Sequence, residues 1–118
     1  MRLSSRTVSW MASLLLSIAC FWGASPGRAE KPTPETHEVL IHGFMYLPAV
    51  MTVHVGDTVQ WKNTDVVPHT VTAEDKSFSS VAIAPGATWK FVAKKAGTFP
   101  YSCTPHPNMH GKLIVQSP

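Results

Sequence analysis

Met51-Thr52-Val53-His54-Val55-Gly56-Asp57-Thr58-Val59-Gln60-Trp61 is the stretch that decides the fold. Met51, Val53 and Val55 fall on one face of an extended chain, with Thr52 and His54 on the other. Gly56-Asp57 interrupts the run, and Val59 and Trp61 resume it. A period of two broken by a Gly–Asp turn reads as consecutive half-buried strands. The same pattern continues outward. Upstream, Val39 and Ile41 alternate with polar or opposite-face neighbours; downstream come Val71 and Ala73, then Trp89, Phe91 and Ala93 set against Lys90 and Val92. Thr98-Phe99-Pro100-Tyr101 and Lys112 to Val115 complete the series, with Pro85-Gly86 and Ala96-Gly97 as turns between them. No segment holds a helical period, and there is no internal repeat. Short strands separated by Gly, Pro and Asp predict an all-β chain folded as a β-sandwich of about seven to eight strands.

The first residues do not belong to that pattern. Arg2 and Arg6 precede a mostly apolar run, Val8 to Trp22, and Ser25-Pro26-Gly27-Arg28-Ala29 follows with small residues. This is the layout of a secretory signal peptide, expected to be cleaved after Ala29. The expected organisation is residues 1–29 as signal, 30–36 as a flexible leader containing Pro32 and Pro34, and 37–118 as one domain. The apolar run is short and broken by Ser, which argues against a retained membrane span. Cys20 as a lipoprotein anchor is a weaker reading, because Ser17 stands where such signals carry an aliphatic residue.

Removing the signal changes the charge and the thiol count. The precursor's net +3 includes Arg2, Arg6 and Arg28, all in the signal. The remainder carries seven lysines against seven acidic residues, a sum of zero. The basic precursor therefore gives no argument for nucleic-acid binding, and the neutral sum offers no large charged patch for a partner. Cys103 becomes the one thiol left, so no disulfide can form within the exported chain. A lone thiol in an oxidising compartment needs another role, pairing between molecules or metal ligation.

Cys103-Thr104-Pro105-His106-Pro107-Asn108-Met109 supplies that role. A thiolate, an imidazole and a thioether stand at offsets zero, three and six on one loop. Pro105 and Pro107 restrict the backbone on both sides of His106. With one more imidazole this is the donor set of a blue-copper electron-transfer site. His69, in Val67-Pro68-His69-Thr70-Val71, is the candidate, partly by elimination. His37, His42, His54 and His110 read as exposed histidines. Met109 is the candidate weak axial donor. Met51 lies on an apolar strand face and reads as core; Met45, in Gly43-Phe44-Met45-Tyr46, reads as packing near the site. Structural zinc takes four Cys or His donors, c-type haem a Cys-x-x-Cys-His run and iron–sulfur clusters several thiolates; none is present. A Cys–His nucleophile would lack an orienting third group.

These residues also resemble a known family, the cupredoxins, in their amicyanin and plastocyanin branch. The resemblance runs through Gly56-Asp57-Thr58-Val59-Gln60-Trp61-Lys62-Asn63, Pro68-His69, Ala96-Gly97-Thr98-Phe99-Pro100-Tyr101 and Cys103 to Met109 with Gly111. It implies a Greek-key β-sandwich with one copper at one end, held by His69, Cys103 and His106 with Met109 as the axial bond. It also implies that the edge of His106 reaches the surface among Pro68, Pro105 and Pro107 and serves as electron port and docking patch. Thr70, Asn108 and His110 depart from the family's pattern; Thr70 replaces an Asn that ties the two ligand loops together.

The expectation is a periplasmic, monomeric one-electron carrier cycling Cu(I) and Cu(II) between redox partner proteins that dock near His106. It is not an enzyme, binds no nucleic acid and has no stable membrane insertion after export. The alternative is a copper carrier that delivers the ion; the chain lacks the Met- and His-rich cluster that would favour it.

Overall fold

The structure is a computed structural model that describes residues 22–27 and 30–118. The expected signal, its cleavage point and Cys20 lie almost wholly outside the described residues. No helix of the described residues is long and apolar enough to cross a membrane.

Eight strands form: β1 Thr36–His42, β2 Met45–Leu47, β3 Val50–His54, β4 Thr58–Asn63, β5 Thr72–Ala73, β6 Thr88–Val92, β7 Gly97–Ser102 and β8 His110–Gln116. They make two four-stranded sheets, ordered β2-β1-β4-β6 and β3-β8-β7-β5. β1 pairs β4 and β3 pairs β8 in parallel; the other pairs are antiparallel. The chain repeatedly crosses from one sheet to the other. This is the all-β sandwich that the alternating pattern predicts. β1 begins at Thr36, which pairs with Thr58, one residue earlier than expected.

The alternation translates directly into burial. Val39 and Ile41 of β1, Val53 of β3, Val59 and Trp61 of β4 and Leu113 and Val115 of β8 all point between the sheets. Each such side chain contributes about 1.5–3 kcal/mol by leaving water. An aromatic cluster fills the centre. Trp61 and its register partner Trp89 have ring centroids 5.5 Å apart, and Tyr101 meets Trp61 edge-on at 5.6 Å. Gly111 pairs with Tyr101 across β7 and β8, and a Cβ there would run into the Tyr101 ring. The ring occupies the space that a side chain at position 111 would need.

Position in the sandwich sorts the loops into two ends. One end gathers the Gly43–Phe44 turn, residues 64–71 and residues 103–109. The other gathers the β3–β4 turn, the β6–β7 turn, the leader and the C-terminus. At that second end Gly56 N–H donates to Ala93 O at 2.7 Å, and Val55 N–H to Gln116 O at 2.9 Å.

His37 departs from the exposed reading. Its side chain is only 23% exposed, and its Nε2 bonds the Asp57 carboxylate at 2.9 Å. Asp57 also accepts the Glu35 and His54 N–H groups, both at 2.9 Å. Those two backbone donors, then the His37 bond, hold its carboxyl down at about 2 despite burial. A residue read from sequence as a turn former is thus the buried anchor of the second end. His42, His54 and His110 are exposed as expected.

Candidate metal centre

His69 is fixed by backbone on both sides. Its N–H donates to Ile83 O at 3.2 Å and its carbonyl accepts Ile83 N–H at 2.7 Å. Asn63, fully buried at the end of β4, braces the loop before it. Its Nδ2 donates to Val67 O at 2.8 Å and Ile83 O at 2.9 Å, and its Oδ1 accepts Asp65 N–H at 2.9 Å. The Cys103–Met109 loop closes on itself: Cys103 N–H donates to Met109 O at 3.2 Å and Met109 N–H to His106 O at 2.9 Å.

The loops bring three of the four candidates into one cluster. His69 Nδ1 lies 3.7 Å and His106 Nδ1 3.6 Å from Cys103 Sγ. The three donor atoms all lie within 4.8 Å of one another. Bonds of about 2.0 Å to nitrogen and 2.3 Å to sulfur, opened to about 120°, give an S···N edge of about 3.7 Å. The triangle therefore fits a single central ion. His69 and Cys103 are fully buried, and His106 is half-buried. Met109 is buried beside them, in the wall of a surface hollow shared with His106, Phe44, Pro105, Pro107 and Asn108.

Asp65 and Phe44 complete the arrangement, and sequence reasoning missed both. His69 Nε2 donates to Asp65 Oδ2 at 2.9 Å, which leaves Nδ1 as the lone-pair nitrogen facing Cys103. Burial pushes the Asp65 carboxyl up, but the Phe44 and Gly43 N–H groups and His69 together outweigh it and hold the carboxyl below its ordinary range. Those N–H groups reach the carboxylate at 3.0 and 2.7 Å. They fix Phe44 at a φ of 59°, a conformation costly for a bulky side chain. Its ring consequently stands edge-on to both imidazoles, with centroids 5.2 Å from His69 and 4.9 Å from His106. Met45, expected near the site, directly follows Phe44 and is 54% exposed, outside the residues that line the hollow. The signal for Asp65 was its place four residues before His69; for Phe44 it was the Gly before it.

Thr70 does the tying that the family assigns to Asn. Its N–H donates to Cys103 Sγ at 3.3 Å, its hydroxyl sits 3.8 Å from the same sulfur, and its Oγ1 accepts Thr104 N–H at 2.8 Å. Below it Tyr46 donates to Thr70 O at 2.5 Å. Burial, then the Cys103 and Tyr101 charges, pushes the Tyr46 phenol far up, so it stays a donor.

A β-sandwich that closes one thiolate and two imidazoles at a loop-built end defines a small mononuclear metal protein. The chain belongs to the cupredoxin-like domain family, whose sequence profile matches residues 13–115. It is 33% identical over 81 residues to amicyanin of Paracoccus versutus, covering 64% of this chain and 61% of that relative. It is 29% identical over 111 residues to amicyanin-alpha of Methylorubrum extorquens, covering 90% of this chain and 92% of that one. A Cu(I) form of a mutant amicyanin superposes with a TM-score of 0.65 at 31% identity, covering 69% and 82% of the two chains. A purple cupredoxin from Nitrosopumilus maritimus gives 0.65 at 26%, covering 68% and 99%. The cofactor of this chain is copper, one ion of the blue type.

Proposed function

We propose that the protein is an exported, periplasmic one-electron carrier whose copper is held by His69, Cys103 and His106 with Met109 as a weak axial donor. The observation that supports this most is the near-equal pair of S···N edges, 3.7 and 3.6 Å, built from residues that are already bonded in place. Bound there, copper supplies a one-electron couple between Cu(I) and Cu(II). The chain's part is to keep one geometry through the cycle. Asp65 holds His69 in a single tautomer, Thr70 bonds the sulfur, and Pro105 and Pro107 stiffen the backbone around His106. Burial excludes water from the sulfur, which guards the only thiol of the exported chain against oxidation.

Electrons would pass at the half-buried His106. The surface at this end carries exposed apolar residues: Phe44 at 50%, Val66 at 91%, and Pro68, Pro105 and Pro107. Such a collar suits transient docking with redox proteins, its small uncharged area favouring fast release. No substrate chemistry enters this reading. Film voltammetry of the copper-loaded protein with added Cu(I) chelator tests it. A reversible one-electron wave that persists in the chelator is expected. Loss of the ion to the chelator within the time of a few cycles would instead mark a protein that delivers copper.

A further inference from the structure

We infer that the end of the sandwich opposite the metal centre docks on an anionic lipid surface. The neutral charge sum conceals an uneven distribution. Of the seven lysines that follow residue 29, Lys90, Lys94 and Lys95 lie within six positions of one another and line one cleft of about 420 Å³. Its apolar floor is Phe91, Val92 and Phe99, and Val92 is 43% exposed. All three lysines are exposed. Asp75, whose carboxylate accepts the N–H of the cleft-lining Ser77 at 2.9 Å, is an acidic neighbour of this cleft. Three ammonium groups and no carboxylate line this apolar cleft, with Glu74 and Asp75 on the turn beside it, a composition that suits phosphate headgroups over acyl chain.

A second observation points to the same end. The leader joins the domain there: Glu35 N–H donates to Asp57, Thr58 N–H to Glu35 O at 2.8 Å, and Pro34 packs near Gly56. Lys31, Pro32 and Pro34 share a hollow with Asp57 and Pro118. The β6–β7 turn that carries Lys94 and Lys95 is bonded to the same β3–β4 turn through Gly56 N–H and Ala93 N–H. The leader's own charges, Glu30 and Lys31, cancel, so the lysine cleft supplies the attraction. The leader and the lysine cleft thus share the end away from the Cys103–Met109 loop, so docking there leaves His106 facing soluble partners. The inference concerns this surface alone and stands or falls independently of the copper chemistry.

Vesicle co-sedimentation of the exported form, expressed from the full chain, tests it. Phosphatidylglycerol vesicles at low salt are compared with phosphatidylcholine vesicles, for wild type and for Lys90→Gln/Lys94→Gln/Lys95→Gln. Each lysine near an anionic surface changes binding roughly fivefold, so the triple variant is expected to bind about a hundredfold more weakly. Wild-type binding should vanish on phosphatidylcholine and weaken at high salt, as the Debye length shortens. Lys62→Gln, at the metal end of β4, should leave binding unchanged. Equal binding by wild type and the triple variant, equal binding to both lipids, or no wild-type binding at low salt would each overturn the inference. A retained apolar segment would give binding indifferent to lipid charge and to the lysines. Near-ultraviolet circular dichroism confirms that the variants keep the fold.

Discussion

Thr70 reaches Cys103 twice, with its backbone N–H 3.3 Å and its hydroxyl 3.8 Å from the same sulfur, while that hydroxyl oxygen also accepts the Thr104 N–H. One residue therefore bonds the sulfur and joins the loops that carry His69 and Cys103. The resemblance gave the tying to an Asn side chain; here the shorter, branched Thr70 performs it.

Donors on the sulfur weaken its donation to the oxidised ion and so favour the reduced one. Thr70→Val keeps the backbone donor and removes the hydroxyl. The reduction potential should fall by on the order of 1 kcal/mol, or about 40 mV for one electron. Voltammetry measures this directly, and an unchanged or raised potential would show that the hydroxyl does not act on the sulfur.

Asp65 presents the same logic at His69. Asp65→Ala removes the acceptor of His69 Nε2 and both anchors of the Gly43–Phe44 turn. Copper affinity should drop about 10- to 100-fold, the usual cost of losing a partner behind a metal-bound imidazole. Competition with a calibrated chelator checks it. Phe44→Ala should leave affinity closer to wild type, since that ring stands against the imidazoles without bonding them.

Asp57 governs stability at the opposite end. Its carboxyl is held at about 2, first by the Glu35 N–H, then by the His54 N–H and by His37. A depressed carboxyl contributes stability that is complete above its unfolded value of about 4 and is lost as pH falls from there toward about 2. Asp57→Ala should cost about 1–3 kcal/mol at neutral pH by removing the acceptor of the part-buried Glu35 and His54 N–H groups and of His37. Its loss of stability between pH 4 and 2 should also be shallower than wild type. Urea unfolding followed at several pH values reads both; parallel acid limbs would contradict the assignment.

Gly111 carries no special backbone angle, yet its Cβ position is filled by the Tyr101 ring. Gly111→Ala should destabilise the fold by about 1–3 kcal/mol through overpacking. Urea unfolding reads the loss, and a Gly111→Ala variant as stable as wild type would contradict the assignment.

The strands were legible because a half-buried sheet writes itself as alternation. Val39 and Ile41, Val59 and Trp61 and Leu113 and Val115 are buried where that period puts them. Cys103, His106 and Met109 were legible because one loop carries them at short spacing, and copper chemistry narrows what such donors can do. His69 required elimination, since its partner loop is 34 residues away in sequence. What stayed hidden depends on contacts across loops. Asp65 and Phe44 meet the site through a carboxylate that bridges two turns, and their local signals, a place four residues before His69 and a preceding Gly, do not by themselves show that contact. His37 read as exposed because Asp57, 20 residues on, supplies its partner. The lysine cleft was invisible for another reason: a charge sum erases where the charges stand.

On the proposed reading, Cys103, His69 and His106 hold one copper in a thiolate–bis-imidazole triangle. The visible absorption of the Cu(II)-loaded protein tests it most directly. One intense thiolate-to-copper band is expected, bleached reversibly by one electron equivalent, abolished by Cys103→Ser and lost or much weakened by His69→Ala. A loaded protein without such a band, or a band that survives Cys103→Ser, would contradict it.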